Sequence, residues 1–315
     1  MTSEQKPLKS GFGSKTTARE VLAGHDLTGR IAIVTGGYSG VGLETTRALA
    51  EAGATVVVPA RSEEKARAAL AAIPRVELEK LDLIDPASID AFAKRYLDSG
   101  RPLDILINNA GIMAPPLERD SRGYESQFAT NHLGHFQLTA RLWPVLKRAK
   151  NARVVSVSSA GIRFGGVDSD DPNFERRPYD KWKAYGQSKT ANALFAVALD
   201  ERGQVDSIRA FSVHPGRIAT DLARYLSDKE RAIGGEYKTT EQGAATSVWC
   251  ATSPQLDGMG GVYCLDVDIA EVVSEFMLEG VGQQLTGVLP WAVNPDFAEQ
   301  LWCLSEQMTG VKFSS

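Results

Sequence analysis

The chain has 315 residues, 43% hydrophobic and 23% charged, with a net charge of -4. That composition provides for a substantial core and excludes the basic surface a nucleic-acid partner requires. The longest apolar runs have strand length, so neither a signal peptide nor a membrane span is expected.

Residues 1–27 read as an N-terminal arm with one short helix, capped by Thr16 or Thr17, with Glu20 completing a capping box. Arg30–Thr35 is an almost wholly apolar run that suits a strand buried on both faces. Gly36-Gly-Tyr-Ser-Gly-Val-Gly42 follows at once, and then a helical pattern ending at Gly53. Strand, glycine-rich turn and helix together form a dinucleotide site, because backbone amides and the helix N-terminus converge on a pyrophosphate. Thr55–Pro59 is a second strand, and Arg61 and Ser62 stand where an adenosine ribose lies. An arginine there suits a 2′-phosphate, so NADP(H) is favoured and NAD(H) is the alternative. The acidic Glu63 and Glu64 read as first-turn helix residues.

Ser62–Ile73 predicts an amphipathic helix, Val76–Leu81 a third strand with Asp82 at its end, and Asp85-Pro86 a helix start. Leu103–Ile107 is a fourth strand running into Asn108-Asn-Ala-Gly111. Residues 123–147 read as a helix with Asn131 inside it and Pro144 near its end. Ala152–Val157, Ile208–Val213 and Gly261–Leu265 complete about seven strands. Strands alternating with helices predict an α/β fold: a Rossmann-type doubly wound parallel sheet with helices on both faces. The domain spans 28–265, and a C-terminal extension, 266–315, ends in a helix capped by Asn294. The polar segment 161–181 and the segment 217–240, which carries Leu222, Tyr225, Leu226, Ile233 and Tyr237, are long loops on the substrate side.

Tyr185 and Lys189 lie four apart in a helix-forming run, hence on one face. A cation beside a phenol favours the phenolate, so the tyrosine pKa is expected below its usual value of about 10. The histidines 132, 135 and 214 show no metal-ligand grouping and read as structural. The cysteines 250, 264 and 303 have no metal spacing either, and they suit a reducing, cytoplasmic setting.

Thr35-Gly36-x-x-x-Gly40-x-Gly42, Asn108-Asn-Ala-Gly111, Asn131, Ser159, Tyr185-x-x-x-Lys189 and Pro215-Gly216 with Thr220 occur in one order. In these motifs residues 28–265 resemble the short-chain dehydrogenase/reductase family. The Asn131-His-Leu-Gly-His135 run and the long gap between Ser159 and Tyr185 resemble its retinol-dehydrogenase-like branch. The resemblance implies that Tyr185 is the general acid/base, with Ser159 holding the carbonyl oxygen; Ser158 is the alternative. It implies that Lys189 lowers the tyrosine pKa and binds the nicotinamide ribose. Asn131 would position a relay water through its backbone or side chain. Gly36, Tyr38, Ser39, Gly40, Val41, Gly42, Arg61, Asp82, Leu83, Asn109, Ala110, Gly111, Tyr185, Lys189, Pro215, Gly216, Ile218 and Thr220 would line the cofactor. The implied reaction is hydride transfer between NADP(H) and a small-molecule alcohol, ketone or aldehyde, with no metal.

Met113, Ala114, Pro115, Pro116, Ile162, Phe164 and the 217–240 segment are the candidate pocket, apolar enough to suit a hydrophobic or ring-bearing substrate. Arg163 and Arg217 read as surface residues or as partners for an anionic group. A cofactor-sensing regulatory protein and an epimerase using transient oxidation are the alternatives. The glycine spacing departs from the Thr-Gly-x-x-Gly-x-x-Gly of epimerases. Relatives pair through the helices bearing Asn131 and Tyr185, which implies a homodimer or homotetramer unless the C-terminal extension covers that face.

Overall fold

The architecture comes from a computed structural model describing residues 3–232, 236–274 and 286–313. Its spine is an eight-stranded sheet ordered β3-β2-β1-β4-β5-β6-β7-β8. The strands are β1 (Ile31–Val34), β2 (Thr55–Ala60), β3 (Val76–Lys80), β4 (Ile105–Asn108), β5 (Arg153–Val157), β6 (Arg209–His214), β7 (Val262–Leu265) and β8 (Asp268–Ile269). The first seven are parallel, as the apolar runs predict. The eighth is an antiparallel addition to the expected sheet. It is made by a two-residue turn in which Asp266 and Val267 take φ of 52° and 64°. Two positive φ values match the twist of a hairpin, but a β-branched residue in that region is rare, so this turn leaves no sequence signature.

Helices α2 (Gly40–Glu51), α3 (Glu63–Leu70) and α9 (Thr240–Thr252) cover one face. Helices α4 (Pro86–Asp98), α6 (Gly134–Arg148), α7 (Lys181–Gly203) and α10 (Pro295–Thr309) cover the other. Three short helices are also present among the described residues, α1 (Ala18–Val21) at the start, α5 (Ser126–Phe128) ahead of α6, and α8 (Asp228–Ala232) in the later insertion. The caps follow the sequence: Thr17 forms the capping box with Glu20, Asp85 caps α4 ahead of Pro86, and Asn294 caps α10. The expected 123–147 helix starts at Ser126 and passes through a π segment, Ala129–Leu133, before α6. Asn131 therefore sits in a widened turn, a common feature of functional sites.

Helix α7 is buried almost all round, from Ala184 to Asp200, because β6, α10 and the 160–164 turn all pack on it. The N-terminal arm has no regular structure up to α1, yet it is fastened to the sheet edge. The Gln5 side chain donates to the carbonyls of Tyr263 and Ala270 and accepts from the Tyr263 amide. Asp268 accepts from the amides of Leu8 and Ser10. An edge strand that would offer unpaired groups to another chain is thus covered.

Candidate active site

The glycine-rich turn, the Asn108–Gly111 turn, Ser159 and the Pro215-Gly216 turn follow the carboxyl ends of β1, β4, β5 and β6, the expected ligand side of such a sheet. At β1 the chain turns back through Gly36 (φ 65°) into α2. Gly42 lies so close to the Gly36 carbonyl and the Asn109 side chain that any Cβ would collide with both. Ser39 precedes α2 as its N-cap without a side-chain cap bond, so the first amides of the helix remain open to an anion. Tyr38 and Val41 are half-buried against the core beside α2. Val41 meets Ile218 around Gly243, and Thr220 lies against Gly40. Arg61 is exposed directly after β2.

The Asn108–Gly111 turn is locked to the end of β1. The Asn109 side chain donates to the Thr35 carbonyl, and the amides of Asn109 and Ala110 donate to Thr35 Oγ1 at 2.9 and 3.0 Å. Asp82 is half-buried at the end of β3, where its carboxylate accepts from the Ile84 amide. The Leu83 side chain is buried in the core beside α4 and α6, so a cofactor contact there would fall to its backbone.

Ser159 caps the 160–164 turn by accepting from the Gly161 amide at 3.0 Å, and its side chain lies beside the Tyr185 ring at Gly161. Ser158 is turned away, donating to the Lys189 carbonyl at 2.7 Å. Gly161 lets the turn lie flat on the phenol, since a Cβ there would come within 2.8 Å of the Tyr185 ring. Lys189 Nζ stands 5.8 Å from the centre of that ring and donates to the Val157 carbonyl at 3.0 Å. Both side chains are buried.

The electrostatics differ from the expected fall in the tyrosine pKa. Burial pushes the Tyr185 phenol up to about 12, with the nearby Ser159 hydroxyl opposing it. Burial also pushes the Lys189 ammonium down to about 8. Desolvation disfavours each charged form, and here it outweighs the charge of a lysine whose ammonium is turned to a backbone carbonyl. Tyr185 is therefore a firmly protonated acid at neutral pH.

The Asn131 side chain is engaged in protein contacts: Oδ1 accepts from the Ile112 amide at 2.8 Å, and Nδ2 donates to the Ile112 carbonyl and to Ser188, which leaves the backbone as the expected water-holding group. Its carbonyl faces the His135 ring at 2.9 Å.

The candidate pocket is only partly as expected. Ala114, Pro115 and Ile162 are buried, Met113 and Phe164 are half-buried, and Pro116 is exposed. Phe164 packs on Trp182, which meets Tyr185 edge-on at 6.4 Å. From α8, Glu230 bonds the Trp182 indole at 3.1 Å and Lys181 at 2.7 Å, bringing the 217–240 insertion over these rings. Ile233 of that insertion lies outside the described residues. Arg163 and Arg217 are half-buried rather than surface residues, and Arg217 holds the insertion through the Arg231 carbonyl and Tyr237.

The structure gives specific contacts to His214, read as structural, and to Thr35, read only as part of the glycine motif, and adds Lys238, which the sequence did not single out. His214 accepts from the Ala160 amide, fixing the turn after Ser159. Lys238 lays its stem over Gly216 (φ 94°), in the Pro215-Gly216 turn, and pairs with Asp266. Thr35 links two turns, as described. Only its place at the end of a strand, before the glycines, hinted at this. Among the described residues no group of His, Cys, Asp or Glu could hold a metal, and no helix is long and apolar enough to cross a membrane.

Comparison with known proteins gives this geometry a context. Residues 30–231 match the family described as short chain dehydrogenase. The chain is 46% identical over 295 residues to a Streptomyces lividans protein named "Probable oxidoreductase", covering 88% of this chain and 96% of that one. It is 36% identical to mouse (Mus musculus) retinol dehydrogenase 12, covering 91% and 88% respectively. A crystal structure of an uncharacterized Mycobacterium paratuberculosis protein matches with a TM-score of 0.73 at 36% identity, covering 92% of this chain and 97% of that one. The Pseudomonas aeruginosa RhlG/NADP active-site complex matches with a TM-score of 0.62 at 26% identity, covering 77% and 96%.

Proposed function

The chain belongs to the short-chain dehydrogenase family, and from that premise we propose an NADP(H)-dependent oxidoreductase acting on a hydrophobic or ring-bearing alcohol, ketone or aldehyde. The carrying observation is that the half-buried Ser159 lies beside the buried Tyr185 ring, with the buried Lys189 ammonium 5.8 Å from that ring's centre, at the sheet's carboxyl edge.

The residues present fit a nicotinamide dinucleotide. The Gly36–Gly42 turn leaves no room for a Cβ at Gly42 and keeps the α2 amides open. Arg61 is exposed where a 2′-phosphate would lie. Asp82, Asn109, Gly111, Gly216 and Thr220 line the path between, and Lys189 reaches the ribose end. When bound, the cofactor supplies or accepts the hydride.

The protein's own part is proton handling. Ser159 orients a carbonyl oxygen toward Tyr185. Tyr185, protonated across the neutral range, donates its proton to that oxygen. Lys189 is the buried cation beside the phenolate that remains, and it stabilises that charge. Phe164, Trp182 and the 217–240 insertion present an apolar wall suited to a ring. The three free cysteines accord with a reducing, cytoplasmic setting.

The test is a screen of diverse ketones and aldehydes followed by NADPH absorbance. Turnover of apolar, ring-bearing carbonyls above small polar ones supports the reading. NADPH binding without turnover of any carbonyl or alcohol would favour a cofactor-sensing protein instead.

A further inference from the structure

One buried residue joins the two halves of this site. Thr35 Oγ1 accepts hydrogen bonds from two amides, those of Asn109 and Ala110. A hydroxyl oxygen has two acceptor positions and one hydrogen, so Thr35 has only a hydrogen left to give. His135 Nε2 lies 2.9 Å from it, nearer than the competing Ile107 carbonyl at 3.3 Å. Nε2 must then be an acceptor, and the imidazole proton resides on Nδ1. The other end of the ring demands the same answer: Nδ1 faces the Asn131 carbonyl at 2.9 Å, and a carbonyl only accepts. Two independent contacts thus specify one neutral tautomer. Burial agrees, pushing the imidazole pKa down to about 4.

The arrangement spans the site. Thr35 ends β1 and fastens the Asn108–Gly111 turn on the cofactor side. Asn131 sits in the π segment, with its side-chain oxygen and Lys189 Nζ both near the Cα of Gly111. Its side chain is occupied by Ile112 and Ser188, and the side chain that bonds its carbonyl is the His135 ring.

We propose that His135 is a positioning residue, fixed as the Nδ1–H tautomer by Thr35, that sets the Asn131 carbonyl relative to Lys189 and the cofactor-side turn. This rests on the oxidoreductase reading for its consequence and on the hydrogen bonds alone for its geometry. His135 touches no substrate atom. Its effect passes through Asn131.

Two amide substitutions separate its two contacts. In His135→Asn the side-chain amide replaces Nδ1 and keeps the donor toward Asn131. In His135→Gln the amide reaches the Nε2 position and keeps only the Thr35 side. The dipeptide Asn131-His132 is the only Asn-His pair in the chain. Labelling with carbonyl-¹³C asparagine and ¹⁵N histidine therefore gives a single carbonyl resonance for Asn131. The same label reports the tautomer of the His135 ring.

The expected result is an Nδ1–H ring in the full chain, with and without NADPH. The Asn131 carbonyl resonance should move upfield in His135→Gln and stay near its place in His135→Asn. NADPH reduction of the best ketone from the screen should fall at least roughly tenfold in kcat in His135→Gln, as expected for a displaced reacting group, and be rescued in His135→Asn. The NADPH dissociation constant should change less than about threefold in either variant, since His135 does not line the cofactor turns. An Nε2–H ring, an unmoved carbonyl resonance in His135→Gln, or equal loss of turnover in both variants would overturn the proposal. Absence of turnover in the unsubstituted chain would sink the oxidoreductase reading, while the resonance would still decide the His135 link.

Discussion

At Tyr185 and Lys189 two opposed effects meet, and burial wins. The phenol is held near 12 and the ammonium near 8. As pH rises through about 8, Lys189 loses the charge that stabilises the phenolate, so kcat/KM for carbonyl reduction should decline above that value. This limb reports the free protein. Lys189→Met should remove the limb and lower the rate by roughly a hundredfold or more, the usual scale of an electrostatic stabiliser. A pH profile flat to 10 would contradict the assignment. Arg61 governs a separate matter. Arg61→Asp should shift the NADP/NAD preference toward NAD by about ten- to a hundredfold, the value of one charged hydrogen bond to phosphate. An unchanged ratio would remove Arg61 from the site. The positions of Tyr185 and Lys189 were legible because an i, i+4 spacing is a local property. The sign of the phenol's shift was not, because desolvation depends on α10, the 160–164 turn and the sheet all closing around α7.

Among the elements, the segment from Ala129 to Arg148 carries the most consequence. His132 and His135 both lie buried in it, and His132 reaches Ser305 of α10 at 2.7 Å among Phe128, Phe136 and Phe195. Burial pushes the folded His132 imidazole down to about 3, below the ordinary histidine value of about 6.5. Between these values the unfolded chain binds a proton that the folded chain refuses. Stability is thus fully present above about 6.5 and is lost as pH falls toward 3, by up to about 1.4 kcal/mol per pH unit for this group. In urea unfolding, His132→Gln should be less stable than the parent at pH 7. The gap should narrow by about 2 kcal/mol at pH 5. A constant gap would show that His132 does not titrate on unfolding. The strands and the capped helices α1, α4 and α10 were legible from apolar runs and cap residues. Helix α9 was not singled out, being apolar on more than one face, although its Thr239–Gln242 capping box was there to find it. The π turn around Asn131 and the hairpin through Val267 left no mark, since tertiary contacts impose both.

Over the whole molecule, both termini close surfaces that other chains could use. The arm covers the sheet edge through Gln5 and Asp268. Helix α10 packs on α7, and Trp302 and Phe313 meet Phe136, with Trp302 also on Phe195 and Phe313 on Trp143. These are the helices through which pairing was expected from the resemblance, so the full chain should elute as a monomer. Removing 294–315 should uncover an apolar patch of several hundred Å², enough to drive association or loss of solubility. A full chain that is already a dimer through α6 and α7 would contradict this packing. The domain frame and its cleft could be read from the order of motifs. The sealing of these two surfaces could not, since it depends on where distant segments dock.

The central claim, proton donation by Tyr185 in carbonyl reduction, is tested most directly by Tyr185→Phe. NADPH oxidation should be followed with the best ketone of the screen, and NADPH affinity measured in parallel. Loss of the acid should lower kcat by about a hundred- to ten-thousandfold, with the NADPH dissociation constant within about threefold of the parent. A phenylalanine variant that turns over at near the parent rate would contradict the account.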